Sequence, residues 1–395
     1  MNVDGHKKKR CSRCGLPSNF RNIKFDKNGV CIFCHNHDKY IEKFRRFSVA
    51  EKNFVSQIEA NRGKYQYDCA VGLSGGLDSV YLLYKLVHDY DLKILAITFD
   101  NNFLSDLAGI FINIVIRELN VDHIVLGYDK DLHYRLYKET AIQMGWPCVA
   151  CSFLGIAQVQ RYCFDNKIPF VVHGRARNQM LRELSKYSHD SYLPYYGLIY
   201  RPFSFSEQLQ SIRSVRKSLD RIMGMLIKDA REREDFKRKY FIDPARCEME
   251  QFIPQFIAYF LINDYEEGKV IDFMKKEFLK DEKKEFMEYH HYDCLANDAF
   301  MYIYKQAFGW SLMELEIAFD VRDGKISRAR AIELIENEKE VQEIPEESFD
   351  LVCSKLNIKR NELLDGFKIA RRNIKMYGHL MRFKNFFKIK PFKYI

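Results

Sequence analysis

"CAVGLSGGLDSVYLLYKL" (residues 69–86) sets two apolar runs on either side of a short polar knot. The first run has the length of a buried strand, and the second repeats its apolar residues at helical spacing. Between them, Gly75 and Gly76 let the backbone approach a ligand closely and take positive φ. Consecutive backbone N–H groups at a helix start form a nest for anionic oxygens, aided by the helix dipole. Ser74 and Ser79 add hydroxyl donors, and Asp78 can hold a magnesium ion against phosphates. The knot has neither the Gly-Lys-Ser/Thr ending of a Walker A loop nor the spacing of G-x-G-x-x-G. It reads as a strand, an anion-binding loop and a helix start.

Outward from the knot the pattern repeats. "LKILAITFD" (92–100), "DHIVLGY" (122–128) and "IPFVVHG" (168–174) are further buried strands. "DSVYLLYKLVHDY" (78–90), "LAGIFINIVIRELN" (107–120), "DLHYRLYKETAIQMG" (131–145) and "FLGIAQVQRYCFDNK" (153–167) are helices between them. Such alternation predicts an α/β fold, a parallel sheet with helices on both faces. Beyond about residue 200 the texture becomes charged amphipathic helix with little strand signal, as in "SIRSVRKSLDRIMGMLIKDARERED" (211–235). The expected organisation is a zinc ribbon over 1–40, a helical connector over 41–64, a nucleotide-binding domain over 65–200 and a mostly helical acceptor-binding region over 201–395.

The ribbon is read from "CSRCGLPSNFRNIKFDKNGVCIFC" (11–34). Cys11, Cys14, Cys31 and Cys34 form two Cys-x-x-Cys knuckles at zinc spacing, with Gly15 and Gly29 where the chain must turn. Four thiolates fill a tetrahedron and leave no position for water, so this zinc is structural.

The 395 residues, 47% hydrophobic and 30% charged, can build a sizeable core. Sixty-three Lys and Arg against 54 Asp and Glu give a net charge of +9. That suits an anionic substrate such as a nucleotide, a nucleotide sugar or RNA, and an ordinary basic protein equally. The tail "MRFKNFFKIKPFKYI" (381–395) interleaves lysines with aromatics, which more often dock and solvate than touch nucleic acid or membrane. "MNVDGHKKKR" has no apolar stretch after it, so a signal peptide is not expected. The apolar runs 107–116 and 252–262 are too short to span a bilayer and read as buried helices. Eleven cysteines without a secretory signal point to a reducing, cytoplasmic setting, where cysteines serve metals or catalysis. Cys69, Cys163 and Cys353 read as core packing.

Ser74-Gly75-Gly76-Leu77-Asp78-Ser79 resembles the SGGxDS signature of the PP-loop ATP pyrophosphatases, a HUP-like fold related to the adenine nucleotide alpha hydrolases. The resemblance implies that Gly72, Leu73, Ser74, Gly75, Gly76, Asp78 and Ser79 grip the pyrophosphate end of ATP with Mg2+. A substrate oxygen then attacks the α-phosphorus. It also implies that Phe99 and Asp100 meet the adenosine, with Gly174 near the α-phosphate; Arg175 and Arg177 either face the phosphates there or are, equally, surface arginines.

The ribbon, "GWPCVACSFLGI" (145–156), "IPFVVHGRA" (168–176) and "GWSLMELEIAFDVRDGKISRARAIELI" (309–335) together are similar to the N-acetyl sugar amidotransferase-like family. That family adenylates an acetamido oxygen of a sugar-type substrate and replaces AMP with ammonia from a partner glutaminase. Leu77 stands where that family carries lysine. The zinc-containing PP-loop thiolases are also similar, through zinc knuckles, SGGxDS, a central Cys-x-x-Cys and one distant cysteine. In that alternative, Cys148 and Cys151 hold a [4Fe-4S] cluster or a persulfide, with Cys294 from "EYHHYDCLANDAF" (288–300) as third ligand and Cys247 as runner-up. A sulfur donor would then replace the glutaminase, and tRNA or a small molecule would be the acceptor. A structural cysteine pair and a buried core Cys294 remain open as readings, and RNA is not the favoured acceptor.

Overall fold

Five strands form one parallel sheet in the order β3-β2-β1-β4-β5. They are β1 (Cys69–Gly72), β2 (Ile94–Phe99), β3 (Asp122–Leu126), β4 (Phe170–His173) and β5 (Gln255–Ala258). This computed structural model describes residues 9–20, 23–127, 129–144, 148–181, 203–278, 289–337 and 343–365. The basic tail at 381–395 lies outside the described residues.

The strands are apolar on both sides because both faces are covered. Cys69, Val71 and Ala96 point into a core with Leu82 and Leu83 of helix Leu77–Tyr90 and Phe111 and Val115 of helix Asp106–Leu119. Ala70, Leu95 and Ile97 face Val159 and Cys163 of helix Cys148–Asp165. Cys69 and Cys163 are thus fully buried core residues. Cys353 is half-buried beside a separate apolar cluster.

From β1 the chain winds outward to β3, returns through helices Lys130–Met144 and Cys148–Asp165, and enters β4 on the other side of β1. The direction of winding reverses between β1 and β4. In open parallel sheets the carboxyl ends of the strands part at such a reversal and leave a crevice. The polar knot follows β1 into that crevice, and Gly174 follows β4.

One expectation is corrected. The run 252–262 is not a buried helix: Pro254 blocks one, and Gln255–Ala258 joins the sheet edge to edge with β4 before a single turn, Tyr259–Ile262. The stretch 211–235 is two helices, Phe205–Leu226 and Ala230–Tyr240, the second restarted by Asp229, whose side chain accepts from Glu232 N–H. The cysteine knuckles pack on Trp310, Leu315 and Ala318, with the Phe20 ring 4.6 Å from Trp310. No helix among the described residues is long and apolar enough to cross a membrane.

Candidate functional site

β1 delivers the loop and its neighbours fix it. Leu73 is buried; its N–H donates to Ile97 O at 2.9 Å, and Thr98 Oγ1 donates to Leu73 O at 2.7 Å. Gly75 has φ +82, and a Cβ there would lie 2.5 Å from Ala108 O, so helix Asp106–Leu119 presses directly on the loop. Ser79 Oγ donates to Gly76 O at 2.9 Å and accepts from Ser74 N–H at 3.2 Å. Ser74 Oγ accepts from Gly76 N–H at 3.2 Å. The helix Leu77–Tyr90 starts at Gly76 with no side-chain cap, so the positive end of its dipole is open to an anion.

The other rim is β4's loop. A Cβ on Gly174 would lie 2.9 Å from Asp78 O, so only glycine lets the two loops touch. Arg175 is exposed beside it. Phe99 ends β2 and packs on Gly155, while Asp100 N–H donates to Leu126 O at 2.7 Å. Asp100 also lines a cavity of about 420 Å³ with Thr98, Asn102, Lys130, Tyr134 and Lys355. The loop, Gly174, Phe99 and Asp100 therefore stand along the carboxyl edge of the sheet.

Asp78, in the first turn of its helix, accepts a hydrogen bond from the Tyr265 hydroxyl. Burial carries its carboxyl up to about 6, against the pull of that bond and of His291. Behind it stand Glu267, raised well above the usual carboxylate range by burial and by Asp78, and Asp320, pushed up to about 7 by burial. Asp323 behaves oppositely. Burial alone would raise it, but His37, Arg177 and Arg45 surround it and hold it far below the usual range.

A distant segment closes the site. Leu104 and Cys294 form an antiparallel bridge; Ser105 N–H donates to Asp293 O at 3.1 Å and Leu295 N–H to Phe103 O at 2.8 Å. This sets Asp293 against the loop, where a Cβ on Gly76 would lie 3.4 Å from its carboxylate. It also brings Cys294 into the apolar cluster that holds Cys148 and Cys151. Asn101 Nδ2 donates to Cys294 Sγ at 3.8 Å and also reaches Cys151. Burial raises all three thiols, Cys148 well above its usual value, Cys151 to about 11 and Cys294 to about 12. Soft thiols raised by burial, from two distant segments, suit a cationic group that takes them as thiolates. Cys247 is elsewhere, buried with Phe164, Leu209 and Ile242, and is not a third partner for the pair.

The N-terminal quartet passes a stricter test. Its sulfurs lie within 4.8 Å of one another, with Cys11–Cys34 at 3.8 Å, Cys14–Cys31 at 3.6 Å and Cys31–Cys34 at 3.7 Å. Zinc–sulfur bonds of about 2.3 Å in a tetrahedron require edges of about 3.8 Å. Backbone N–H groups of Cys14 and Cys31 point at Cys11 Sγ, and Arg322 Nη1 reaches Cys14 Sγ at 3.5 Å. Among the described residues, this is the one group of three or more potential ligand side chains drawn to single-ion spacing.

Sequence reasoning did not find Asn101, Tyr265, Glu267 or Asp320. They carry no local motif; long-range packing alone brings them to the loop.

Residues 283–390 match the family model for the "LPS biosynthesis protein WbpG-like, C-terminal domain". A family of lipopolysaccharide biosynthesis agrees with the sugar branch that the sequence resembles. No curated protein matches the chain. Among solved structures, the chain is similar to the U34-tRNA thiolase NcsA from Methanococcus maripaludis with its [4Fe-4S] cluster. That likeness has 16% identity and a TM-score of 0.34 and covers 84% of this chain and 90% of that one. It is also similar to the NH3-dependent NAD synthetase from Campylobacter jejuni subsp. jejuni NCTC 11168 in complex with the nitrate ion. There the identity is 15%, the TM-score 0.28, and the coverage 61% of this chain and 98% of that one. At such TM-scores neither likeness says anything about this chain's chemistry.

Proposed function

We propose that this chain is an AMP-forming, PP-loop transferase that splits ATP between its α- and β-phosphates to activate an amide oxygen of a sugar-type acceptor. The observation that carries the proposal is the loop itself: an uncapped helix start, reached through a glycine wedged against Ala108, facing Gly174 where the sheet's winding reverses. The loop over Ser74–Ser79 and the open helix start would take the pyrophosphate end of ATP, with Gly72 and Leu73 leading the chain in. Gly174 and Arg175 would stand beside the α-phosphate, and Phe99 and Asp100 beside the adenosine. Bound magnesium would neutralise the phosphates, and Asp78 would hold it. The acceptor's carbonyl oxygen attacks the α-phosphorus, and pyrophosphate leaves toward the helix dipole. Ammonia then displaces AMP, a far better leaving group than the original oxygen. The WbpG-like match over 283–390 supports a sugar acceptor in the C-terminal region, with a glutaminase as nitrogen source. Zinc at the N-terminal quartet would be structural.

A second reading is sulfur transfer, favoured by one observation: the packing of Cys148, Cys151 and Cys294 in one apolar cluster. A [4Fe-4S] cluster held there would supply an open iron for a sulfur atom. Asn101, shared by Cys151 and Cys294, would orient those two side chains.

The proposal is tested with Asp78→Ala. ATP-dependent pyrophosphate release should fall at least a hundredfold while the circular dichroism spectrum stays that of the parent. Unchanged release would remove the ATP assignment.

A further inference from the structure

A row of hydrogen-bond acceptors runs away from the loop. It starts at Asp78, whose carboxylate is held by Tyr265, and passes to Glu267, close enough for the Asp78 charge to raise it. Glu267 Oε1 accepts from Tyr289 N–H at 2.6 Å; the Tyr289 hydroxyl donates to Asp320 Oδ2 at 2.7 Å. Asn178 Nδ2 donates to the same oxygen at 2.8 Å. Glu316, 5% exposed, lies alongside. Among the described residues, Asp78, Glu267 and Asp320 pair with no lysine, arginine or histidine within salt-bridge distance, although the chain carries an excess of cations.

Acidic groups can gather for many reasons, but Asn178 adds an independent observation. Its side chain is 3% exposed and is held in the row by Asp320, yet its Oδ1 has no hydrogen-bond partner. A buried amide oxygen without a donor is costly to leave unpaired. What would satisfy this row is a small cation that is all donor. A divalent metal would draw three or more charged ligands together, and no three carboxylates of the row lie within 4.8 Å of one another. Ammonium carries one charge, offers N–H donors in four directions and can take an uncharged amide oxygen beside a carboxylate.

We propose that Asp320, Glu267 and the Asn178 amide oxygen form a binding site for ammonium, which leads the nitrogen nucleophile toward the loop. This rests on the nitrogen-transfer reading above and adds the place where the nitrogen is held. Ammonium gives one proton to a carboxylate of the row, such as Asp320, whose carboxyl burial carries up to about 7. The ammonia so formed bonds to the adenylated carbon, and the carbon–oxygen bond to AMP breaks with its electron pair going to AMP. The new nitrogen sheds one further proton to the departing phosphate, leaving an amidinium.

The test uses full-length, zinc-loaded protein and crystals soaked with thallium(I), a cation close to ammonium in size. Anomalous density within hydrogen-bonding reach of Asp320 and Asn178 Oδ1, lost on adding excess ammonium chloride, is the expected result. Calorimetric affinity for ammonium chloride, measured over a sodium chloride background, should weaken at least tenfold in Asp320→Asn and in Glu267→Gln. Asp320→Asn keeps an oxygen for Tyr289 and Asn178, so it should fold. Absence of thallium at the row, thallium that ammonium does not displace, or unchanged affinity in both variants would overturn the site. These readouts need neither ATP nor acceptor. Failure of pyrophosphate release would therefore count against the proposed function, and failure here against the ammonium site alone.

Discussion

Gly75→Ala is the substitution whose cost can be worked most directly from the geometry. Gly75 sits at φ +82, where a residue with a Cβ loses about 1 kcal/mol relative to glycine. The added methyl would stand 2.5 Å from Ala108 O and 2.7 Å from Ala108 Cα and Cβ, whereas real Cβ contacts do not fall below 3.0 Å. Loop and helix must separate by at least 0.5 Å (3.0 − 2.5), and the obstructing atoms are backbone, which cannot swing aside. Forcing one extra methyl into such a contact costs about 1–3 kcal/mol. Together the two effects should destabilise the chain by about 2–4 kcal/mol. Urea unfolding followed by circular dichroism measures this, with Gly72→Ala as control, since nothing lies within 4 Å of a Cβ there. The control should stay within about 0.5 kcal/mol of the parent. Nucleotide affinity should fall along with stability in Gly75→Ala, because the N–H nest moves with the loop. A Gly75→Ala protein as stable as Gly72→Ala would refute the wedge.

Two other perturbations have clear expectations. Cys31→Ser should take the zinc content from one ion per chain to almost none by elemental analysis. Because the quartet packs on Trp310 and Leu315, it should also unfold the C-terminal contacts of the knuckles. Asp320→Asn should stabilise the protein at pH 8. The Asp320 carboxyl, carried by burial from 3.8 to about 7, keeps its proton in the folded chain through a range where the unfolded chain has lost it. Its contribution to stability is therefore present at acid pH and is lost as pH rises from about 4 to about 7. A rise of that size corresponds to about 4 kcal/mol, and partial solvent contact reduces the expected gain to about 2 kcal/mol. Urea midpoints at pH 5 and pH 8 measure it; a variant no more stable than the parent at pH 8 would contradict the burial of that charge.

The parts legible in the sequence were those written locally. The strand, loop and helix at 69–86 follow from a switch of apolar spacing across paired glycines, and the gathering of four cysteines from the spacing of their two knuckles. β5 was not legible, because a strand buried on both faces shows no alternation and "FIPQFIAYFLI" is apolar throughout. Only Pro254 argued against a helix there. Cys294 could be named as a partner for Cys148 and Cys151 but not placed; the short bridge between Leu104 and Cys294 does that. Glu267, Asp293 and Asp320 look in sequence like any acidic surface residues. The raised carboxyls of Glu267 and Asp320 exist only because folding buries them.

The nucleotide products test the central proposal most directly. Purified, zinc-loaded protein would be incubated with α-labelled ATP, magnesium, ammonium and a panel of N-acetyl sugar nucleotides, and the nucleotides separated. AMP and pyrophosphate should appear in equal amounts, dependent on one acceptor and abolished by Asp78→Ala. Accumulation of ADP and phosphate would contradict the proposal.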